Sequence, residues 1–169
     1  MRMSEQLALI NRSKRSAPVD VETLSHALGV PVHYANLDND TSGMIEKTGP
    51  NEFRIIVNAN HPETRQRFTI AHELGHYMLH RHLIGDGIDE NRAYRSSVNG
   101  IYKNRNIGPA QETQANKFAV SVLMPDGLLN IVRDNPNYNS PAARARALGV
   151  SEQAYCIRSG IPHEASMFF

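Results

Sequence analysis

The feature that most constrains this chain is a run of five residues, His72-Glu73-Leu74-Gly75-His76. In an α-helix, positions i and i+4 lie one turn above each other and about 40° apart. Two imidazoles so placed reach a single cation from one side, with Glu73 beside them at the cation's open face. Zinc hydrolases of the His-Glu-x-x-His type use this spacing. The segment must therefore be helical, and its flanks agree. Pro62 suits a helix start, and ETRQRFTIAHELGHYMLHRH reads as helix from Glu63 to about His82. Four of the eight histidines in the chain, His72, His76, His80 and His82, fall within the eleven residues 72–82.

A catalytic zinc needs a third protein ligand and a fourth position left open. His82 has the spacing of a metzincin's third histidine. That pattern, however, needs glycine where this chain has Leu79, and on a continuing helix His82 lies about 280° around from His72. His80 lies about 80° from His72 and about 6 Å along the axis beyond His76, which suits a polar residue at a helix end better than a ligand. The stronger candidate is Glu112, on a second helix expected from about Ala110 to Met124 and stopped by Pro125. On that helix Ala115, Ala119 and Val122 form a stripe, with Phe118 on its flank and Glu112 at its rim. Small alanines let it press close to the histidine helix and bring the Glu112 carboxylate to the metal. Asn116, one turn beyond Glu112, is placed to accept a hydrogen bond from a ligand imidazole and fix its tautomer. In isolation Glu112 would read as an exposed glutamate favoured by the helix dipole. The neighbouring His-Glu-x-x-His tips the reading toward a ligand.

The rest of the chain supplies a scaffold. PVDVETLSHALGV reads as a helix with Asp20 as N-cap and Gly29 as its stop. PVHYANL, SGMIEK and EFRIIVNAN read as strands, with Gly49-Pro50-Asn51 as the punctuation between the second and third. The fold class expected is α+β: a single domain with a small antiparallel sheet packed on the active-site helix, and further helices toward the C-terminus. Residues 1–16 are basic and polar and are expected to be a flexible terminus, with residues 17–169 forming the domain. Residues 83–109 form a long loop region, and residues 140–169 a short helical tail. A structureless connection of that length is often functional. Tyr94, Arg95 and Tyr102 within it are candidates to donate a hydrogen bond to an oxyanion, a role left unassigned.

Composition excludes several classes. Lysine plus arginine number 18 against 17 acidic residues, a net charge of +1, so no global field draws the chain to nucleic acid or an anionic membrane. No apolar run approaches the roughly 18 residues of a spanning helix. MRMSEQLALINRSKR lacks the core and cleavage site of a signal peptide. The lone Cys156 excludes an intrachain disulfide and suits a reducing compartment. A cytoplasmic location, with no membrane contact and no direct nucleic-acid contact, is the expectation. Oligomeric state is left open.

RFTIAHELGHYMLH followed by ETQANKFAVSVLMP resembles the ImmA/IrrE family of metallo-endopeptidases, which is similar to the gluzincins. PVDVETLSHALGV resembles that family's lead-in helix, and ALGVSEQAYCIRSGI its C-terminal element, so the resemblance spans roughly residues 17–160. It implies a zincin-like domain holding one zinc ion through His72, His76 and Glu112, with Glu73 as the catalytic carboxylate. The partner it implies is a protein substrate, a helix-turn-helix repressor or an antitoxin-like protein. With only about seventeen residues ahead of the matched region, that regulator is expected to be a separate chain. Two other readings stand beside this one. One is a family fold that binds its regulator without cutting it. The other is a DNA-binding module with a structural zinc, since LGVSEQAYCIRSG resembles half of a helix-turn-helix. Against the latter, the basic residues of the tail (Arg144, Arg146 and Arg158) are few. A structural zinc is also usually closed by four protein ligands and has no need of Glu73.

Overall fold

The computed structural model describes residues 1–85, 93–97 and 107–163. Among these the chain is α+β. In order it forms α1 (Met3–Ser13), α2 (Val21–Ala27), β1 (Val32–Ala35), β2 (Thr41–Gly49), β3 (Glu52–Asn58), α3 (Glu63–Leu79), a short 3-10 turn (Arg81–Leu83) and β4 (Ala93–Ser97). Then follow α4 (Pro109–Leu123), α5 (Asp126–Asp134), α6 (Pro141–Leu148) and α7 (Glu152–Ser159).

Local chemistry sets the first elements. The Asp20 carboxylate caps α2, accepting from the Thr23 N–H at 3.0 Å and the Thr23 hydroxyl at 2.8 Å. Those two bonds hold its pKa below the ordinary carboxylate value. Gly29, just past the end of α2, has φ +82°, a left-handed conformation that favours glycine. β2 and β3 then form a hairpin whose turn places Asn51 at φ 59°, a conformation asparagine tolerates. Ile45 lies opposite Ile55, and Glu46 opposite Arg54, with which it forms an ion pair.

The sheet has the order β1-β3-β2-β4. β2 is antiparallel to both of its neighbours, but β1 runs parallel to β3, with Val32 opposite Ile55 and Tyr34 opposite Val57. The sheet is therefore mixed, which corrects the expectation of an antiparallel one. The hairpin occupies one edge of β2 with β3, so β1 adds to the far edge of β3 and runs in its direction. Asn58, fully buried at the end of β3, fixes the crossing. Its side-chain amide nitrogen faces the carbonyls of Leu37, Asp38 and Thr41 at 3.2, 3.0 and 2.9 Å, and its oxygen accepts from the Asn60 N–H at 3.0 Å.

Helix α3 lies between this sheet and α4. On the sheet side the approach is so close that a Cβ on Gly43 of β2 would lie 2.6 Å from both the Ile56 carbonyl oxygen and the Thr69 methyl of α3. Arg67 anchors the same helix to two distant segments, donating to the carbonyls of Gly149 at 3.0 Å and Val19 at 2.7 Å. One apolar cluster runs from Ile10 and Val19 through Ile45, Ile55, Leu74 and Leu123 to Leu148 and Tyr155. Cys156 is buried in it, and burial pushes its thiol pKa up.

Several boundaries differ from expectation. Within residues 1–16, expected to be a flexible terminus, residues 3–13 form a helix with Gln6 and Ile10 buried. Of the short apolar stretch Leu7 to Ile10, Ile10 is buried and Leu9 partly so, while Leu7 stays exposed. The histidine helix ends at Leu79 rather than near His82. Residues 83–109 are not wholly loop, because β4 lies within them and extends the sheet at the free edge of β2. Helix α5 has no counterpart in the sequence reading, although Leu128, Leu129 and Val132 share its buried face. Among the described residues, no helix is long and apolar enough to cross a membrane.

Replacing Asn58 by leucine keeps the volume but strands the loop carbonyls of residues 37–41 without their donor. The expected cost is about 2 kcal/mol or more, seen as a fall of roughly 4–8 °C in the thermal midpoint for a domain of this size. An unchanged midpoint would show that the crossing is held by something else.

Candidate metal centre

Nine consecutive residues of α3, Thr69 to Tyr77, are buried. An ordinary amphipathic helix buries one stripe; this one is covered on two sides, by the sheet and by α4. His72, Glu73 and His76 therefore sit inside the protein, with Glu73 and His76 fully buried and His72 at 5% exposure.

Helix α4 brings the third group. Gly75 faces it, and a Cβ there would lie 3.0 Å from the Ala115 Cα, 3.1 Å from the Ala115 carbonyl oxygen and 3.2 Å from the Phe118 Cβ. With hydrogen at 75 and a methyl at 115, the two helices pack almost backbone to backbone. Glu112, one turn before Ala115 and 5% exposed, is thereby delivered to the histidines. Its two oxygens lie 3.3 Å from His72 Nε2 and 3.0 Å from His76 Nε2. The two Nε2 atoms are 3.1 Å apart.

These separations fit a metal. Ligand bonds of about 2.0–2.1 Å in a tetrahedral site put neighbouring ligand atoms roughly 3.3 Å apart. His72, His76 and Glu112 are the group among the described residues whose side chains could hold an ion together. Two imidazoles and a carboxylate are the donor set of a site that leaves a fourth position open, the arrangement of catalytic zinc.

The outer nitrogens of both rings are engaged. Asn116 Oδ1 lies 2.8 Å from His72 Nδ1, so the ring donates there and turns its Nε2 lone pair inward. His76 Nδ1 lies 3.0 Å from His80 Nδ1, and His80 Nε2 lies 2.7 Å from Gln114 Oε1. Burial depresses both ligand imidazoles. At His72 the Glu112 carboxylate, the charge of Glu73 and Asn116 outweigh that effect, and its pKa is held above the ordinary histidine value. At His76 burial prevails over Glu112, helped by His72 and His80, and its pKa falls below that value.

The other sequence candidates separate cleanly. His82 is exposed on the 3-10 turn. His80 is buried as the C-cap residue of α3, touching a candidate ligand rather than joining the set. For Tyr94 and Arg95 only the backbone, in β4, is described, and Tyr102 lies outside the described residues. The α6–α7 pair does turn at Gly149, with Ser151 capping α7. Two of its three basic residues have partners within the chain: Arg158 pairs with Asp126 at 2.7 Å and Arg144 donates to the Tyr138 carbonyl at 3.1 Å. Sequence reasoning missed Gly75 as the partner of the alanine stripe. A glycine inside a helix, at a cost of about 1 kcal/mol against alanine, was the available signal. It also missed the link from Gln114 to His80, because on a helical wheel Gln114 lies off the ligand face.

A cavity of about 380 Å³ opens between α3 and the α6–α7 turn, lined by Arg65, Phe68, Val150, Gln153 and Ala154 among others. None of His72, His76 and Glu112 lines it; Phe68, on its wall, has its ring 6.3 Å from that of His72.

Comparison with known proteins gives the family. Residues 26–159 match the Peptidase_M78 family, described as the IrrE N-terminal-like domain; the chain belongs to this family. It is 28% identical over 122 residues to the uncharacterized immunity region protein 2 of Bacillus phage phi105, covering 72% of this chain and 67% of that protein. It is 33% identical over 75 residues to the radiation response metalloprotease IrrE of Deinococcus radiodurans, a stretch covering 44% of this chain but only 20% of that protein. A solved structure described as a Mycobacterium tuberculosis transcriptional regulator shares the fold, with a TM-score of 0.57 at 18% identity over 95% of this chain and 48% of that one. The chain thus spans about half of that structure and a fifth of the Deinococcus protein.

If Glu112 completes the site, Glu112→Ala should weaken zinc binding by more than the 10–100-fold typical of losing an outer hydrogen-bond partner. Competition with a chromogenic chelator measures this, with circular dichroism as the check on folding. Parent-like affinity in a folded variant would remove Glu112 from the ligand set.

Proposed function

We propose that this member of the IrrE N-terminal-like peptidase family is a zinc-dependent endopeptidase with a zincin-like active site. Its substrate in this reading is a separate helix-turn-helix repressor or antitoxin-like partner, cut at one position. The observation that carries the proposal is the buried convergence of His72, His76 and Glu112 at ligand spacing, with Glu73 adjacent on the same helix. A metalloprotease among the relatives supports the chemistry. A phage immunity-region protein among them supports a regulatory partner.

Zinc in this cradle would supply Lewis acidity, bringing the pKa of water toward neutrality and polarising a peptide carbonyl. The chain's own residues do the rest. His72 and His76 present lone pairs from one side, and Glu112 adds a negative charge that keeps the ion in place. The Glu73 carboxylate takes the proton of the attacking water and delivers it to the departing amine. The lone Cys156 fits a cytoplasmic setting in which thiols remain reduced.

Glu73→Gln should keep its zinc and lose about two or more orders of magnitude in rate, the usual scale for a general base. New protein N-termini compared by mass spectrometry between cells carrying the parent and cells carrying this variant test activity and substrate together. The expected result is one or two termini within a DNA-binding regulator, present only with the parent. Identical termini in both strains would contradict the peptidase reading.

A further inference from the structure

The histidine that is not a ligand occupies a specific place. His80 is 4% exposed and lies at the C-cap of α3, one turn beyond His76. Its Nδ1 is 3.0 Å from His76 Nδ1, and its Nε2 is 2.7 Å from Gln114 Oε1. We propose that Gln114 and His80 form a two-residue relay that fixes the tautomer of His76 and thereby makes its Nε2 a metal ligand. This inference rests on the metal-site reading of His72, His76 and Glu112.

The Gln114 oxygen can only accept, so His80 Nε2 carries the hydrogen. A neutral imidazole has one N–H, which makes His80 Nδ1 an acceptor. The contact between the two Nδ1 atoms then requires His76 to donate. With its hydrogen committed to Nδ1, His76 turns a bare Nε2 toward Glu112 and His72. Each assignment forces the next, and the chain begins at an amide oxygen that cannot ionise.

The relay explains how one helix controls both ligands. Around α4, Ala115 faces Gly75, while Gln114 and Asn116 fall about 100° to either side of it. Asn116 reaches His72 directly at 2.8 Å. On the other side Gln114 reaches His80, one turn beyond His76, and His80 spans the gap. The two ring orientations are thus set by two amides flanking the same alanine. His80 is a positioning residue in this scheme: it holds a ligand and touches no substrate.

Two measurements on the zinc-loaded protein test it. In the parent, two-bond 1H–15N spectra at neutral pH should show His80 as the Nε2–H tautomer with an unprotonated Nδ1, and a protected His76 Nδ1–H. Chelator competition should show His80→Leu losing about 10–100-fold in zinc affinity, the range for removal of a ligand's outer partner. His80→Asn should recover most of that loss, because its side-chain oxygen stands where Nδ1 stood. Gln114→Leu should weaken binding in the parent but change it less than about twofold in the His80→Asn background, where no relay remains to be set. A His80 ring protonated at Nδ1, or an asparagine variant no better than leucine, would overturn the relay alone. A parent that takes up no zinc would overturn the metal-site reading and the relay with it.

Discussion

The site depends on the contact between Gly75 of α3 and Ala115 of α4. Neither ligand helix can build it alone. His72 and His76 provide two donors on one face, and the third comes from a helix that is distant in sequence. A carboxylate side chain spans only a few ångströms, so Glu112 reaches the two Nε2 atoms because the helix backbones lie nearly in contact. A side chain at position 75 would separate the helices and withdraw Glu112, Asn116 and Gln114 together. Gly43 on the opposite side performs the same service against the sheet. α3 is thus held between two surfaces that both demand close approach, which accounts for its nine successive buried residues.

That packing creates an electrostatic demand as well as a geometry. Two imidazoles and two carboxylates are buried together. Burying such groups is costly unless opposite charge or hydrogen bonds compensate them. Glu112 and Glu73 act on His72 to hold its pKa above the ordinary histidine value, while burial pulls that of His76 below it. A divalent ion held by these groups would compensate the buried carboxylate charge directly.

Much of this was legible in the sequence, for identifiable reasons. The four-residue spacing of His72 and His76 survives in any helix, and the alanine stripe of α4 declared which face would meet a close neighbour. Asn116 followed from its one-turn offset to Glu112. What escaped depended on where the backbone stops being regular. His80 becomes a partner of His76 because the helix ends at Leu79 and leaves it at the C-cap, a boundary that a continuous helical wheel does not contain. The parallel pairing of β1 with β3 is similarly invisible to strand periodicity. It is decided by where residues 36–40 can cross, and a single buried side chain, Asn58, satisfies the carbonyls of that crossing.

The most direct test of the account is the anomalous diffraction of crystals of the full chain loaded with zinc, collected on either side of the zinc edge. The account predicts one ion per chain bound by His72 Nε2, His76 Nε2 and a Glu112 oxygen, at about 2.0–2.2 Å, with its fourth position not filled by protein. An ion bound elsewhere, or one closed by a fourth protein ligand, would contradict it.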